Sequence, residues 1–114
     1  KGYKHEEIAV LSFAGRSKSK LLQLDNLGVH SCKRFTGKYD ASGNAQWSVG
    51  KVFTETIYRF KGQSAPVVIL SEIDFEAMTN KELRKLFVGM TRAKVHLVCI
   101  MSERAQELLV QRLN

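Results

Sequence analysis

The chain alternates short apolar runs with amphipathic stretches, and polar or glycine-rich breakers separate them. Ile8-Ala9-Val10-Leu11-Ser12-Phe13, ended by Gly15, predicts a buried strand. Ser17 is placed to cap a following helix, with Leu21, Leu24 and Leu27 facing the core and Gly28 as its stop signal. Residues 29–35 and 49–57 read as two further strands, and the polar cluster 36–44 between them as an exposed hairpin tip. Pro66 opens Val67-Val68-Ile69-Leu70, a short run bounded by breakers and read as a central strand. A helix then starts at Thr79, with Glu82 three residues on to complete a capping box. Its Leu83, Leu86, Phe87 and Met90 follow the i, i+3, i+4, i+7 spacing of a single buried face. Val95 to Met101 is nearly continuous in apolar residues, as expected of a strand buried on both faces. Ser102 caps a last helix with Ala105, Leu108, Leu109 and Leu113 inward. Strands alternating with helices predict an α/β domain with a mainly parallel sheet, flanked by helices and carrying a small β-hairpin insertion within residues 29–54.

At 114 residues the chain is sized for one domain, and 44% apolar with 25% charged residues places it among ordinary globular proteins. No apolar run approaches a membrane span and no signal peptide opens the chain, so the expectation is a cytoplasmic protein without a membrane partner. The chain begins at Lys1 rather than Met, as a piece excised from a longer protein would. Two cysteines, Cys32 and Cys99, make no disulfide framework and read as reduced thiols. The net charge of +7 is uneven: residues 1–61 carry 11 Lys/Arg against 5 Asp/Glu, and residues 62–114 carry 7 against 6. A polyanionic partner such as nucleic acid explains that asymmetry. So does a solvated face parted from an acidic neighbour, and charge alone does not choose between them.

Two stretches carry the candidate chemistry. The first is Tyr58-Arg59-Phe60-Lys61-Gly62-Gln63-Ser64, a loop expected at the carboxyl end of a strand, where ligands of open α/β sheets gather. Its Gly admits close backbone approach, Lys61 offers a point charge, and Arg59 and Tyr58 offer a fork and a ring. Taken alone it is either an anion site or a turn. The second is Arg92, between a packed helix and a strand, where a permanently charged guanidinium is well placed to meet a phosphate. Glu72, Asp74 and Glu76 alternate at period two and could share a face, as a metal site or, more simply, a solvated strand end. His5, His30 and His96 lack metal-ligand spacing, so no metal site is assigned. The chain also lacks a Gly-x-x-x-x-Gly-Lys-Ser/Thr loop, so it does not cradle a triphosphate by itself.

The run from Thr56 to Leu70, with Tyr58-Arg59-Phe60-Lys61-Gly62-Gln63-Ser64 at its centre, resembles motif V of UvrD/Rep-type superfamily 1 DNA helicases. Leu86-Phe87-Val88-Gly89-Met90-Thr91-Arg92-Ala93-Lys94 resembles their motif VI, and residues 8–22, with Ala14-Gly15-Arg16-Ser17, are similar to motif IVa. The resemblance implies the second, carboxyl-terminal RecA-like domain of such a motor, with a P-loop NTPase-type fold. ATP would lie in the cleft against the amino-terminal RecA-like domain of the same chain, which carries the phosphate loop and the carboxylates for Mg2+. Arg92 would be the catalytic arginine finger. Lys61, Gly62, Gln63, Ser64 and Thr91 would complete this side of the ATP site. Arg16, Ser17, Thr56 and Tyr58, with Arg59 beside them, would contact single-stranded DNA, and duplex junctions are a further possible substrate.

Three departures from the family pattern change what the resemblance implies. Tyr58 stands where His is usual, which turns a hydrogen-bond donor into a stacking ring. Gln63-Ser64-Ala65 stands where Leu-Glu-Phe is usual, so the carboxylate that holds the ribose hydroxyl is missing. Residues 29–54 hold a hairpin where UvrD-like enzymes insert a whole accessory domain. Two readings follow: the motor half of an ATP-dependent DNA helicase or translocase, and a non-catalytic nucleic-acid-binding module built on the same fold. On both, this fragment alone hydrolyses no ATP.

Overall fold

The computed structural model describes residues 4–15 and 17–113. In chain order the strands and helices are β1 (Ile8–Ser12), β2 (Asn26–Leu27), β3 (His30–Lys33), β4 (Phe35–Tyr39), β5 (Ala45–Trp47), β6 (Val52–Thr56), β7 (Ala65–Ile73), α1 (Asn80–Met90), β8 (Ala93–Met101) and α2 (Glu103–Leu113), with single 3-10 turns at His5–Glu7 and Leu21–Gln23. Six strands form one sheet in the order β2-β3-β6-β1-β7-β8. Its pairs β3·β6, β6·β1, β1·β7 and β7·β8 are parallel, and only the short β2 runs antiparallel to β3. The fold class is α/β with a mostly parallel sheet, as the alternation of strands and helices predicts. The β4–β5 hairpin stands outside this sheet.

Side-chain alternation on the strands sorts the core into two layers. Ala9, Leu11 and Phe13 of the first run join Val68, Leu70, Ile57, Leu86 and Ala105 on the face covered by α1 and α2. Val10 and Val52 point the other way and are covered by Leu21 and Leu22 of the 3-10 turn. Leu11, Ile57, Leu70 and Leu86 are all but fully buried, and burial of such side chains contributes about 1.5–3 kcal/mol each. Pro66 is tolerated near the start of β7, where the Ala65–Val67 register is already irregular.

The expected cap of α1 forms: the Thr79 hydroxyl accepts from the Glu82 amide at 3.5 Å and donates to the Glu82 carboxylate. Ser102 likewise caps α2, accepting from the Ala105 amide at 3.1 Å. The polar tip between β4 and β5 closes on Asp40, whose carboxylate accepts from the amides of Ser42 and Asn44. Trp47 pins the hairpin, its ring centroid 5.9 Å from Phe35 and 5.4 Å from Phe53.

Five expectations are corrected. No α-helix follows β1: Ser17 lies in an exposed turn, Leu24 turns extended after one 3-10 turn, and Asn26–Leu27 joins the sheet. Strand limits shift too, since Val29 and Val49, read as strand residues, are fully exposed connections. On α1, Leu86 and Gly89 are buried while Phe87 is 66% exposed, so the face is narrower than the apolar spacing suggests. Leu113 of α2 is also exposed. Finally, β8 is an edge strand with one covered face: Leu97, Cys99 and Met101 pack on the core, while Val98 and Ile100 do not.

Candidate functional site

Because β1, β6, β7 and β8 run parallel, their connections gather at two opposite edges of the sheet. β6 ends at Thr56 on the carboxyl edge and β7 begins at Ala65 on the amino edge, so residues 57–64 span the sheet between them. The loop expected at the carboxyl ends of the strands therefore only starts there. Tyr58 stays at that edge, while Gln63 and Ser64 are delivered to the amino edge, where β8 also begins.

Arg92 meets them at the amino edge. It follows the end of α1, and its Nε donates at 3.1 Å to the Val88 carbonyl, one of the acceptors a helix terminus leaves open. Its Nη1 donates to the Gln63 carbonyl at 3.2 Å and its Nη2 to the Thr91 hydroxyl at 3.2 Å. The Ala65 amide in turn donates to the Arg92 carbonyl at 3.0 Å, which ties the start of β7 to the residue before β8. Ion pairs among the described residues fall at Arg34, Arg59 and Arg104, and none at Arg92. The guanidinium is thus aimed by three neutral oxygens, keeps its full charge, and retains two of its five N–H donors for a ligand. Gly62, at φ +86°, makes the turn that precedes Gln63, a conformation that costs a residue with Cβ about 1–2 kcal/mol. Lys61, Gly62, Gln63 and Ser64 are all exposed. A cavity of about 710 Å³ opens beside Gln63 and Ser64, lined also by Lys33, Lys51, Phe53 and Phe60.

At the carboxyl edge stand Thr56, Tyr58 and the turn carrying Ser17; Arg16 lies outside the described residues. Thr56 is largely buried, its hydroxyl accepting from the Arg59 amide at 3.1 Å, while Tyr58 is 51% exposed. Arg59, at the same edge, is exposed and makes contacts within the chain. Its Nε is 3.1 Å from the carboxylate of buried Glu55, and its guanidinium lies 4.1 Å over the Phe35 ring, so it ties the hairpin to β6. The structure therefore brings Gln63, Ser64, Thr91 and Arg92 together and sets Ser17, Thr56 and Tyr58 apart from them at the other edge.

Sequence reasoning missed the group that builds the carboxyl edge. Glu72, at the end of β7, accepts from the Ser12 and Ser19 hydroxyls at 2.5 Å each and from the Lys20 and Leu21 amides at 2.8 and 3.1 Å. It adopts φ 56°, a left-handed conformation that costs a non-glycine residue about 1–3 kcal/mol. Burial pushes its carboxyl pKa up, but the bonds from Ser12, Ser19, Leu21 and Lys20 outweigh that and leave it lowered. Ser19, not Ser17, supports the 3-10 turn from the residue before its N-cap Lys20, its hydroxyl accepting from the Leu22 amide at 3.1 Å. Asp74, expected to share a face with Glu72, instead accepts from Arg104 at 2.7 and 2.9 Å and from Ser102 at 2.6 Å. Among the described residues no three His, Cys, Asp or Glu converge as metal ligands. The sequence signal for the Glu72 site was a pair of serines flanking Gly15, with no hint of a partner some sixty residues on.

Compared with known families, residues 51–100 match the UvrD-like helicase C-terminal domain. The matched segment contains β6, the residue 57–64 connection, β7, α1 and Arg92, and leaves residues 8–22 outside. No curated protein matches the chain.

Proposed function

We propose, from the match of residues 51–100 to the UvrD-like helicase C-terminal domain, that this chain is the second RecA-like motor domain of an ATP-dependent DNA helicase or translocase. The observation that carries the reading is the clamp on Arg92. Two segments 29 residues apart in the chain meet through the Arg92–Gln63 bond, and the result is a preorganised guanidinium that no carboxylate among the described residues neutralises. Charge on the transferring phosphoryl oxygens is stabilised by such a group without reorganisation at the moment of reaction. An arginine finger of this kind is worth about 10³–10⁵ in rate.

In this reading ATP lies between the amino edge of the sheet and the amino-terminal RecA-like domain of the same protein. Arg92 reaches the γ-phosphate, Lys61 adds a point charge near it, and Gly62, Gln63, Ser64 and Thr91 present backbone and hydroxyl groups to the nucleotide. Mg2+ would be held by carboxylates of the amino-terminal half and would supply charge neutralisation at the phosphates. Gln63 and Ser64 offer the ribose only neutral hydrogen bonds, a weaker hold than a carboxylate. Single-stranded DNA lies along the carboxyl edge, with Ser17 and Thr56 toward phosphates and the exposed Tyr58 ring toward a base. Contacts of this type bind without sequence preference and weaken with salt. Nucleotide and DNA occupy opposite edges of one sheet, so closing and opening the ATP cleft moves the DNA edge as a rigid unit.

The test is ATP hydrolysis by the intact parent protein with and without single-stranded DNA, beside an Arg92→Ala version. DNA-stimulated turnover that falls by about 10³-fold or more in the variant is the expected result. No turnover in the intact protein, with DNA binding kept, would overturn the motor and leave a nucleic-acid-binding module.

A further inference from the structure

Lys85 occupies a position that neither the packing of α1 nor the proposed motor chemistry uses. It lies on the flank of the helix, next to buried Leu86 and four residues before buried Gly89, and is itself half-buried. Its ammonium stands 4.6 Å from the ring centroid of Phe13 and 5.4 Å from that of Tyr58. Phe13 leads from β1 into the turn that carries Ser17, and Tyr58 follows Thr56. The cation therefore sits between the two loops of the carboxyl edge, held by ring faces rather than by a carboxylate. None of the ion pairs found among the described residues involves it. Burial and neighbouring Lys81 push its pKa down, with Glu82 opposing. A methionine would lay the same stem on Phe13 at no cost in charge, so packing does not call for an ammonium here.

We propose that Lys85 is a phosphate contact of the single-stranded DNA track, completing a step in which a base stacks on the exposed Tyr58 ring and the adjoining phosphate meets the Lys85 ammonium. This rests on the DNA-binding reading above and adds to it a residue on the helix that ends next to Arg92. The two rings restrain the ammonium and leave its charge unneutralised, so the phosphate meets a cation that has lost part of its hydration and much of its freedom beforehand. Tyr58 keeps its other surface open, being 51% exposed, which is what a base needs in order to stack.

The experiment is equilibrium binding of oligothymidylate to the intact protein across a salt series, for the unaltered protein and for Lys85→Met and Lys85→Arg. One lost phosphate contact lowers the slope of log K against log salt by about 0.7 and weakens binding about fivefold near 0.1 M salt. Lys85→Met should show both changes, and Lys85→Arg, which keeps the charge, should keep the slope. Thermal unfolding of each variant confirms that the fold is retained. An unchanged slope for Lys85→Met, whether affinity stays or falls, would overturn the contact and leave Lys85 a packing residue. Absence of oligothymidylate binding by the unaltered protein would overturn the DNA-binding reading itself, and the proposal with it.

Discussion

Replacing Glu72 tests whether the carboxyl edge is built as described, because the structure makes two opposed demands on that residue. Its carboxylate accepts four hydrogen bonds, two from serine hydroxyls and two from backbone amides. Glu72→Ala removes all four. The net value of a bond is about 0.5–1.5 kcal/mol, and hydroxyls at this half-open site recover water, so the loss should total about 2–4 kcal/mol. Glu72→Gly loses the same bonds but relieves the left-handed φ of 56°. In an ordinary strand Gly is less stable than Ala by about 0.5–1 kcal/mol; here it should be more stable, by about 1 kcal/mol. Urea unfolding followed through the fluorescence of Trp47, the only tryptophan and remote from the substitution, measures both. The effect also has a pH signature. The Glu72 pKa is lowered from its ordinary 4.5, so its stabilisation is fully present above about 4.5 and lost as pH falls through the lower folded value. The wild-type and Ala curves should therefore converge in acid. A Gly variant no more stable than the Ala variant, or a gap that persists below the folded pKa, would refute the account.

Two further substitutions probe the elements that position the site. At Gly89 an added Cβ would stand 2.9 Å from an Ile57 methyl and 3.1 Å from both Leu70 methyls. Gly89→Ala gains up to about 1 kcal/mol in helix propensity but costs about 1–3 kcal/mol in overpacking, so urea unfolding should show net destabilisation. A stabilised variant would mean that α1 sits farther from the sheet than described. Asp74 is held at a pKa of about 2 by Arg104, then Ser102, against an ordinary 3.8. Its contribution to docking the start of α2 is full above about 3.8 and lost as pH falls through about 2. An NMR titration of the Ser102 and Ala105 amides should show that midpoint, and Asp74→Asn should abolish it.

How far the fold was legible followed from the range of the interactions involved. The Thr79 and Ser102 caps, the Asp40 turn and the Val67–Leu70 strand are set within a few residues, and each was readable from its own stretch. The one-turn fate of residues 17–28 was not. Leu21, Leu24 and Leu27 have helical spacing, but Glu72 binds the Lys20 and Leu21 amides and β3 recruits Asn26 and Leu27 into the sheet. Glu72 lies some fifty residues on, and β3, though only a few residues away, is itself held in the sheet by the distant β6, so helix propensity over one or two turns is too weak to resist them. Likewise an apolar residue states what it can bury, not whether a neighbour arrives. Strand order left β8 at an edge, and so Val98 and Ile100 stay uncovered.

The candidate site divides along the same line. The chemistry was in the sequence: a permanently charged Arg92 after an amphipathic helix, a Lys-Gly turn, a basic first half, and motifs resembling V and VI, whose segment the family match covers. Those features depend on residue types and short spacings, which a linear pattern preserves. What the tertiary structure decided was which groups meet. Parallel strands sent Gln63 and Ser64 to Arg92 at one edge and left Tyr58 at the other; the hairpin and Glu55 took Arg59 for packing; two rings from separate loops closed on Lys85. A side chain's partner in each of these cases is chosen by sheet direction and order. Those are set by the summed burial of the whole core rather than by any local stretch.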